Sequence, residues 1–243
     1  TPNLARLASW GVKFPHAYAS APVCTPTRTS ILTGMAPARS RITYWTLHRD
    51  SDQSAKFPGL LPPDWRKNGL GEEDVTLPRL LQQVGYLTLH VGKSHLRARG
   101  SSGEDPRRLG FDVTVAGHAA GAPASYSARM HFKRALDEDS VWDVPGLEAY
   151  HGRDLFLTEA LTEAILPQLR QVISDQHPFF LEFAPYAVHT PIQPNPRYLA
   201  NYPDLDPKEA AYATMIESVD TALGRLLDLL TATGVADRTV VIF

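Results

Sequence analysis

The chain has 243 residues, 43% of them apolar and 21% charged, enough for one large domain or two small ones around a substantial core. Its 24 Lys and Arg against 26 Asp and Glu leave a formal charge of −2, which excludes a polybasic nucleic-acid or membrane-surface binder. No apolar run reaches the length of a bilayer span, and a single cysteine excludes an intrachain disulfide.

Helix and strand signals alternate along the chain, which predicts an α/β domain. Asn3 to Trp10 places Leu4, Leu7 and Ala8 at helical spacing and stops at Gly11. Pro26 to Thr33 reads as a second short helix ended by Gly34, and Thr76 to Val84 as a third, capped by Thr76 and ended by Gly85. Tyr86 to Val91 has strand character. Residues 97 to 150 are rich in Gly, Ser, Arg and Pro and weakly periodic, so they predict loops that border a substrate site. Asp154 to Ser174 predicts a long amphipathic helix with Leu155, Leu161, Ile165 and Leu169 near one face. Phe179 to Phe183 suits a buried strand. Pro207 to Thr233 predicts the clearest helix, with Pro207 near its first position and Glu209 in its first turn. Thr239 to Phe243 follows as a strand. Twenty prolines, clustered in stretches such as Phe57 to Asp64 and Pro185 to Pro207, fix many turns between these elements. The chain opens on Thr1-Pro2-Asn3 without Met and stops on a strand-like run, so it reads as a piece cut at both ends.

The chemistry concentrates in Cys24-Thr25-Pro26-Thr27-Arg28, continuing Thr29-Ser30-Ile31-Leu32-Thr33-Gly34. Proline at an early helical position places a helix start close to Cys24, where backbone N–H groups and the helix dipole favour an anion. Arg28 follows at i+4 on the same face and can direct a fixed positive charge toward residue 24. These parts suit attack on a sulfate or phosphate ester, and equally a thiolate nucleophile or an oxyanion-binding turn.

Cys-x-Pro-x-Arg followed by Thr-Gly resembles the signature of the type I sulfatases, of the alkaline-phosphatase-like superfamily, in which the cysteine is oxidised to formylglycine. Gly92-Lys93-Ser94-His95-Leu96 is similar to that family's Gly-Lys-x-His-Leu stretch, and it follows a strand as ligand loops of open α/β sheets do. His189, in Tyr186-Ala187-Val188-His189-Thr190-Pro191, is similar to the family's His-x-Pro histidine. The helix bearing Tyr212, Met215, Ile216, Val219 and Asp220 resembles the family's long helix before its last metal-bearing strand. Its apolar spacing needs only packing to explain it. His118, in Gly117-His118-Ala119-Ala120-Gly121, is either a pocket or a loop histidine and stands outside the candidate set.

The resemblance implies a sandwich with a central mixed, mostly parallel sheet flanked by helices, and a chain comprising residues 1–243 of an N-terminal catalytic domain, truncated at both ends. It implies a sulfuric ester hydrolase acting on a glycan or aryl sulfate through a formylglycine hydrate at position 24. Arg28 would hold that group, Lys93, His95 and His189 would contact the sulfate, and one histidine would protonate the leaving alkoxide. It implies one divalent cation, calcium in most members, held by the formylglycine and by carboxylates and amides outside the chain. The piece alone is therefore expected to bind metal poorly and to show no turnover. Implied partners are a sulfated small molecule or glycan and a formylglycine-generating enzyme, with no nucleic acid and no membrane span. Export to the periplasm or the cell exterior is the compartment implied. A phosphonate or phosphodiester hydrolase of the same superfamily and a non-catalytic remnant that binds sulfated glycans remain as alternatives.

Overall fold

A computed structural model describes residues 1–53, 59, 64–101 and 104–243. The proline-rich stretch from Phe57 to Asp64 therefore lies mostly outside the described residues. The chain divides into two compact units. One holds residues 1–15, 122–177 and 185–243, and the other holds residues 16–121 and 178–184.

The second unit carries the sheet. Strand β1 (Leu87–Gly92) lies between β2 (Val113–Val115) and β3 (Phe179–Ala184), and both pairings are parallel. The register sets Leu89 against Val113 on one side and Leu87 against Phe179 on the other. A central parallel strand is covered on both faces, so it needs apolar or β-branched residues throughout. In β1, Leu89, Val91, Thr88 and His90 are all fully buried. The two buried polar groups find partners. The Thr88 hydroxyl donates to the Gly110 carbonyl at 2.8 Å, and the Asp112 carboxylate accepts the Thr88 N–H at 2.8 Å. His90 lies opposite Glu182 in the register, with Nδ1 3.0 Å from Oε2 and Nε2 3.1 Å from the Gly92 carbonyl.

Helix α2 (Cys24–Thr33) ends at Gly34, whose N–H closes on the Ser30 carbonyl at 2.9 Å. A single helical turn, α3 (Pro37–Ser40), follows it, and α4 (Leu77–Gln83) packs against β1. Leu32 from α2 joins Ile42, Leu70, Leu96, Leu109 and Phe111 in one buried cluster, against which Phe180 of β3 packs. This cluster ties the last turn of α2 to the segment that follows β1, and that packing positions the site.

The first unit is helical. Helices α5 (Leu157–Ser174) and α6 (Pro207–Ala232) pack against one another, and α1 (Pro2–Trp10) packs against α6. Asp206 caps α6, accepting from the N–H groups of Lys208 at 2.9 Å and Glu209 at 3.3 Å. Leu161, Ile165 and Leu169 of α5 are buried, as the amphipathic pattern predicts.

Four expectations need correction. The helix expected from Asp154 starts at Leu157, because the Glu159 carboxylate folds back onto the Phe156 N–H at 2.8 Å and closes the first turn there. Asp154 instead meets Arg129 at 3.2 Å. Residues Phe179 to Phe183 form a strand, but a half-buried one, since among the described residues β3 is paired on one side only. Thr239 to Phe243 forms no strand: none of the described strands pairs with it, and Val240 and Ile242 are 87% and 91% exposed. β-propensity without a partner strand makes no ladder. Finally, residues 97 to 150 hold a strand the composition hid, β2, as well as short 3₁₀ turns at Pro106–Leu109, Ala128–Met130 and Glu148–Tyr150.

Candidate active site

Helix α2 begins at Cys24 itself, with Val23 as its N-cap residue in extended conformation. The entering chain is fixed by Thr27, whose hydroxyl donates to the Ala21 carbonyl at 2.8 Å and accepts the Ala21 N–H at 3.1 Å. Thr25 and Pro26 are buried beneath the helix start, while Cys24 is half-buried. Residue 24 therefore stands in the first turn, where the positive end of the helix dipole lies.

The second part of the site follows β1. The ladder extends one residue beyond the strand, as the Lys93 N–H donates to the Ala184 carbonyl at 2.7 Å. Lys93, Ser94 and His95 are 5%, 2% and 3% exposed, so none of them is a solvent-facing loop residue. The Lys93 ammonium reaches the Cys24 sulfur at 3.2 Å. Arg28 spans the same gap from α2, its guanidinium donating to the Lys93 carbonyl at 2.7 Å. Burial holds the Lys93 ammonium below its ordinary value, and the Arg28 charge lowers it further, while Cys24 pulls the other way. The close pair of cations makes this a place suited to an anion.

His95 occupies a left-handed backbone conformation with φ of 52°. Its N–H donates to the His118 carbonyl at 3.0 Å, so His118 enters the site through its backbone. Its Nε2 lies 2.7 Å from the Thr46 carbonyl, which can only accept, so Nε2 carries the proton and Nδ1 the lone pair of the neutral ring. Nδ1 is buried with no partner at good hydrogen-bond geometry. Burial is the largest influence on the ring and holds it below the usual histidine range; Cys24 raises it and Lys93 lowers it.

Two residues outside the sequence-derived set hold this histidine. Thr46 receives the Nε2 proton, and its own N–H donates to the Thr25 hydroxyl at 3.3 Å, beside Cys24. Gly121 lies against the ring so closely that a Cβ there would overlap Nδ1 and Cε1. Neither residue carries a motif that sequence reasoning could have used. Gly121→Ala is expected to destabilise the fold by about 1–3 kcal/mol, because the buried ring must leave its place. A thermal melt of the variant checks this, and an unchanged transition would mean that the ring yields without strain.

Cys24, Arg28, Lys93 and His95 thus lie together in one unit. His189 belongs to the other unit, where its loop is held by several hydrogen bonds. Its Nδ1 lies 2.9 Å from the Thr190 carbonyl, and its own carbonyl accepts the Tyr126 hydroxyl at 2.8 Å. Gln193 Oε1 accepts the Tyr126 N–H at 2.7 Å and the Ser125 hydroxyl at 3.3 Å, which ties the histidine loop to residues 125 and 126.

No group of three or more His, Cys, Asp or Glu among the described residues stands together to hold a metal ion. The donor set among the described residues does not fit a divalent cation. No helix among the described residues is long and apolar enough to cross a membrane.

An α/β unit with a half-buried residue at a helix start, facing a lysine and a histidine beyond a parallel strand, defines a site for an anionic ester. A family model described as Sulfatase matches residues 1–243, and the chain belongs to the sulfatase family. It is 30% identical over 251 residues to human N-acetylgalactosamine-6-sulfatase, a match spanning all of this chain and 44% of that protein. It is 28% identical over 256 residues to mouse arylsulfatase J, spanning all of this chain and 38% of that protein. The chain thus covers less than half the length of these two relatives. Among solved structures it resembles Ps i-CgsB in complex with k-i-k-neocarrahexaose. The TM-score is 0.77 at 24% identity, covering 97% of this chain and 50% of that one. That likeness supports the α/β fold, in which the described strands form a three-stranded parallel sheet.

Proposed function

We propose that the whole protein hydrolyses sulfate esters of a glycan, with Cys24 as its modified catalytic residue. One observation carries the reading: Lys93 meets the Cys24 side chain at 3.2 Å from a buried position that Arg28 and β1 fix. The glycan as substrate class is supported by a relative named for the 6-sulfate of N-acetylgalactosamine and by a structural neighbour holding an oligosaccharide.

A formylglycine at position 24 supplies, as its hydrate, an oxygen nucleophile with a second hydroxyl in place of the thiol. The surroundings fit such oxygens, because a lysine ammonium and the first turn of a helix already face that side chain. Lys93 holds the sulfate oxygens and offsets the charge that grows on them during transfer. Arg28 keeps the Lys93 main chain in place and adds its own field. His95, with Nε2 committed to Thr46, offers Nδ1 to take up a proton near position 24. His189 keeps the role implied by the resemblance, contacting the sulfate, from a loop that Tyr126 and Gln193 hold. The divalent cation, calcium by the same resemblance, needs ligands beyond those described. A formylglycine-generating enzyme or an equivalent maturase is the partner that would prepare residue 24.

The test expresses the whole protein with a formylglycine-generating enzyme and takes a mass spectrum of the tryptic peptide Phe14 to Arg28. Expected is a peptide lighter by the difference between cysteine and formylglycine, together with hydrolysis of an aryl sulfate faster than of an aryl phosphodiester. An unmodified thiol, or a preference for the phosphodiester, overturns the reading.

A further inference from the structure

A second region of the molecule has the chemistry to bind anions, and it lies within the helical unit. A cleft of about 670 Å³ lies beside α5 and α6, lined among others by Tyr150, Arg153, Glu163, Arg170, Gln171 and Arg225. Its volume is that of an ordinary ligand site. Three guanidinium groups face one carboxylate there. Arg153 pairs with Glu163 at 3.2 Å, and its guanidinium lies over the Tyr150 ring at 5.2 Å from the centroid. Glu163 is thereby engaged. Arg170 and Arg225 make no ion pair or side-chain hydrogen bond among the described residues, so the cleft keeps a net positive charge. Burial pushes the Tyr150 phenol above its usual range and Glu163 adds to this, while Arg153 and Arg225 oppose it, so the Arg225 charge acts at the same ring.

We infer that this cleft is a binding site for a sulfated oligosaccharide, which it holds by its sulfate groups. The planar fork of a guanidinium matches the oxygens of a sulfate, and two unengaged forks in one cleft match a repeating sulfated chain better than a single small anion. The Tyr150 ring, braced by Arg153, offers a flat apolar face of the kind that sugar rings cover. A protein partner would call for a broad apolar centre, whereas Leu166, Pro167 and the Tyr150 ring are the only apolar groups among the nine lining residues and three of the others are arginines. The inference rests on the sulfated-glycan reading above for the identity of the ligand, while the anion chemistry comes from the cleft itself.

The experiment titrates the whole protein carrying Cys24→Ala, which removes turnover, with a sulfated hexasaccharide and with its desulfated counterpart. The titration is repeated with Arg170→Gln and Arg225→Gln added. Expected is a loss of affinity of roughly tenfold in the double variant, with a weaker dependence on salt and no measurable effect on the desulfated sugar. Equal affinity of the two proteins for the sulfated hexasaccharide overturns the proposal, as does tighter Arg-dependent binding of a single-stranded oligonucleotide of matched charge. Both arginines are exposed, so an unchanged melting curve is the expected control. In the protein with Cys24 intact, the double variant is expected to hydrolyse a small aryl sulfate at the unaltered rate. Absence of hydrolysis in both proteins, with Arg-dependent binding retained, would remove the enzymatic reading and leave the binding site standing.

Discussion

Cys24→Ala in the whole protein is expected to abolish sulfate-ester turnover, with kcat falling by about a thousandfold or more. The size follows from the place of the residue. Everything else in the site is arranged around that side chain, with the Lys93 ammonium 3.2 Å from it and Arg28 bonded to the Lys93 carbonyl. Alanine leaves two cations and a histidine able to hold a sulfate and no atom able to attack it. Cys24→Ser separates nucleophile from modification. A serine hydroxyl can attack the ester sulfur, its proton passing to a base as the alcohol leaves, and the sulfuryl group then stays on the serine oxygen. No second hydroxyl is present to expel it. One transfer without further turnover is the expected result, read as an intact-mass gain of one sulfuryl group. Sustained turnover by the serine variant would refute the proposed chemistry while leaving the fold untouched.

Asp220→Ala is expected to lower stability by about 3 kcal/mol, a fall of roughly 6–12 °C in melting temperature for a chain of this size. Asp220 is 5% exposed and lies in the middle of α6. Its carboxylate accepts the N–H groups of Asn3 at 3.1 Å and Leu4 at 2.8 Å, and the Asn3 side-chain amide at 3.0 Å. Thr1, the N-cap residue of α1, makes no side-chain cap hydrogen bond, so a carboxylate 216 positions away in sequence caps the helix instead. Gly224, one turn further along α6, lets Asn3 approach, since a Cβ there would meet its amide. Alanine at 220 removes the acceptor of two backbone donors at once. Asp220→Asn keeps one acceptor oxygen and is expected to lose about 1 kcal/mol. A melt of the alanine variant within about 1 °C of the parent would show that α1 is held by packing alone.

Much of this was legible in the chain itself. Proline near the start of α2 and α6, Thr76 before α4, and a glycine after each placed these helices to within a few residues, because such residues act on the backbone locally. The Cys24 to Gly34 run and the Gly92 to Leu96 run led to the family that the comparisons show. What failed was the part that depends on a partner. Thr239 to Phe243 has the composition of a strand, and no described strand pairs with it. Strand β2 is three residues long and exists because β1 lies beside it, which no window of composition reveals. Asp220 read as one polar position in a packing helix, and its role became visible only when α1 met α6.

The sequence by itself determined the family and the type of most helices, and it named candidate residues for the chemistry, because these rest on residue identity and on contacts a few positions apart. Only the tertiary structure decided that Lys93 is buried and turned onto Cys24, that Thr46 and Gly121 hold the His95 ring, and that Arg170 and Arg225 share one cleft. Cys24 and Lys93 are 69 positions apart, and His95 and Thr46 are 49 apart. Contacts over such distances are set when a strand and a helix bury their apolar faces in a common core, and the polar groups they carry are brought together as a consequence of that burial.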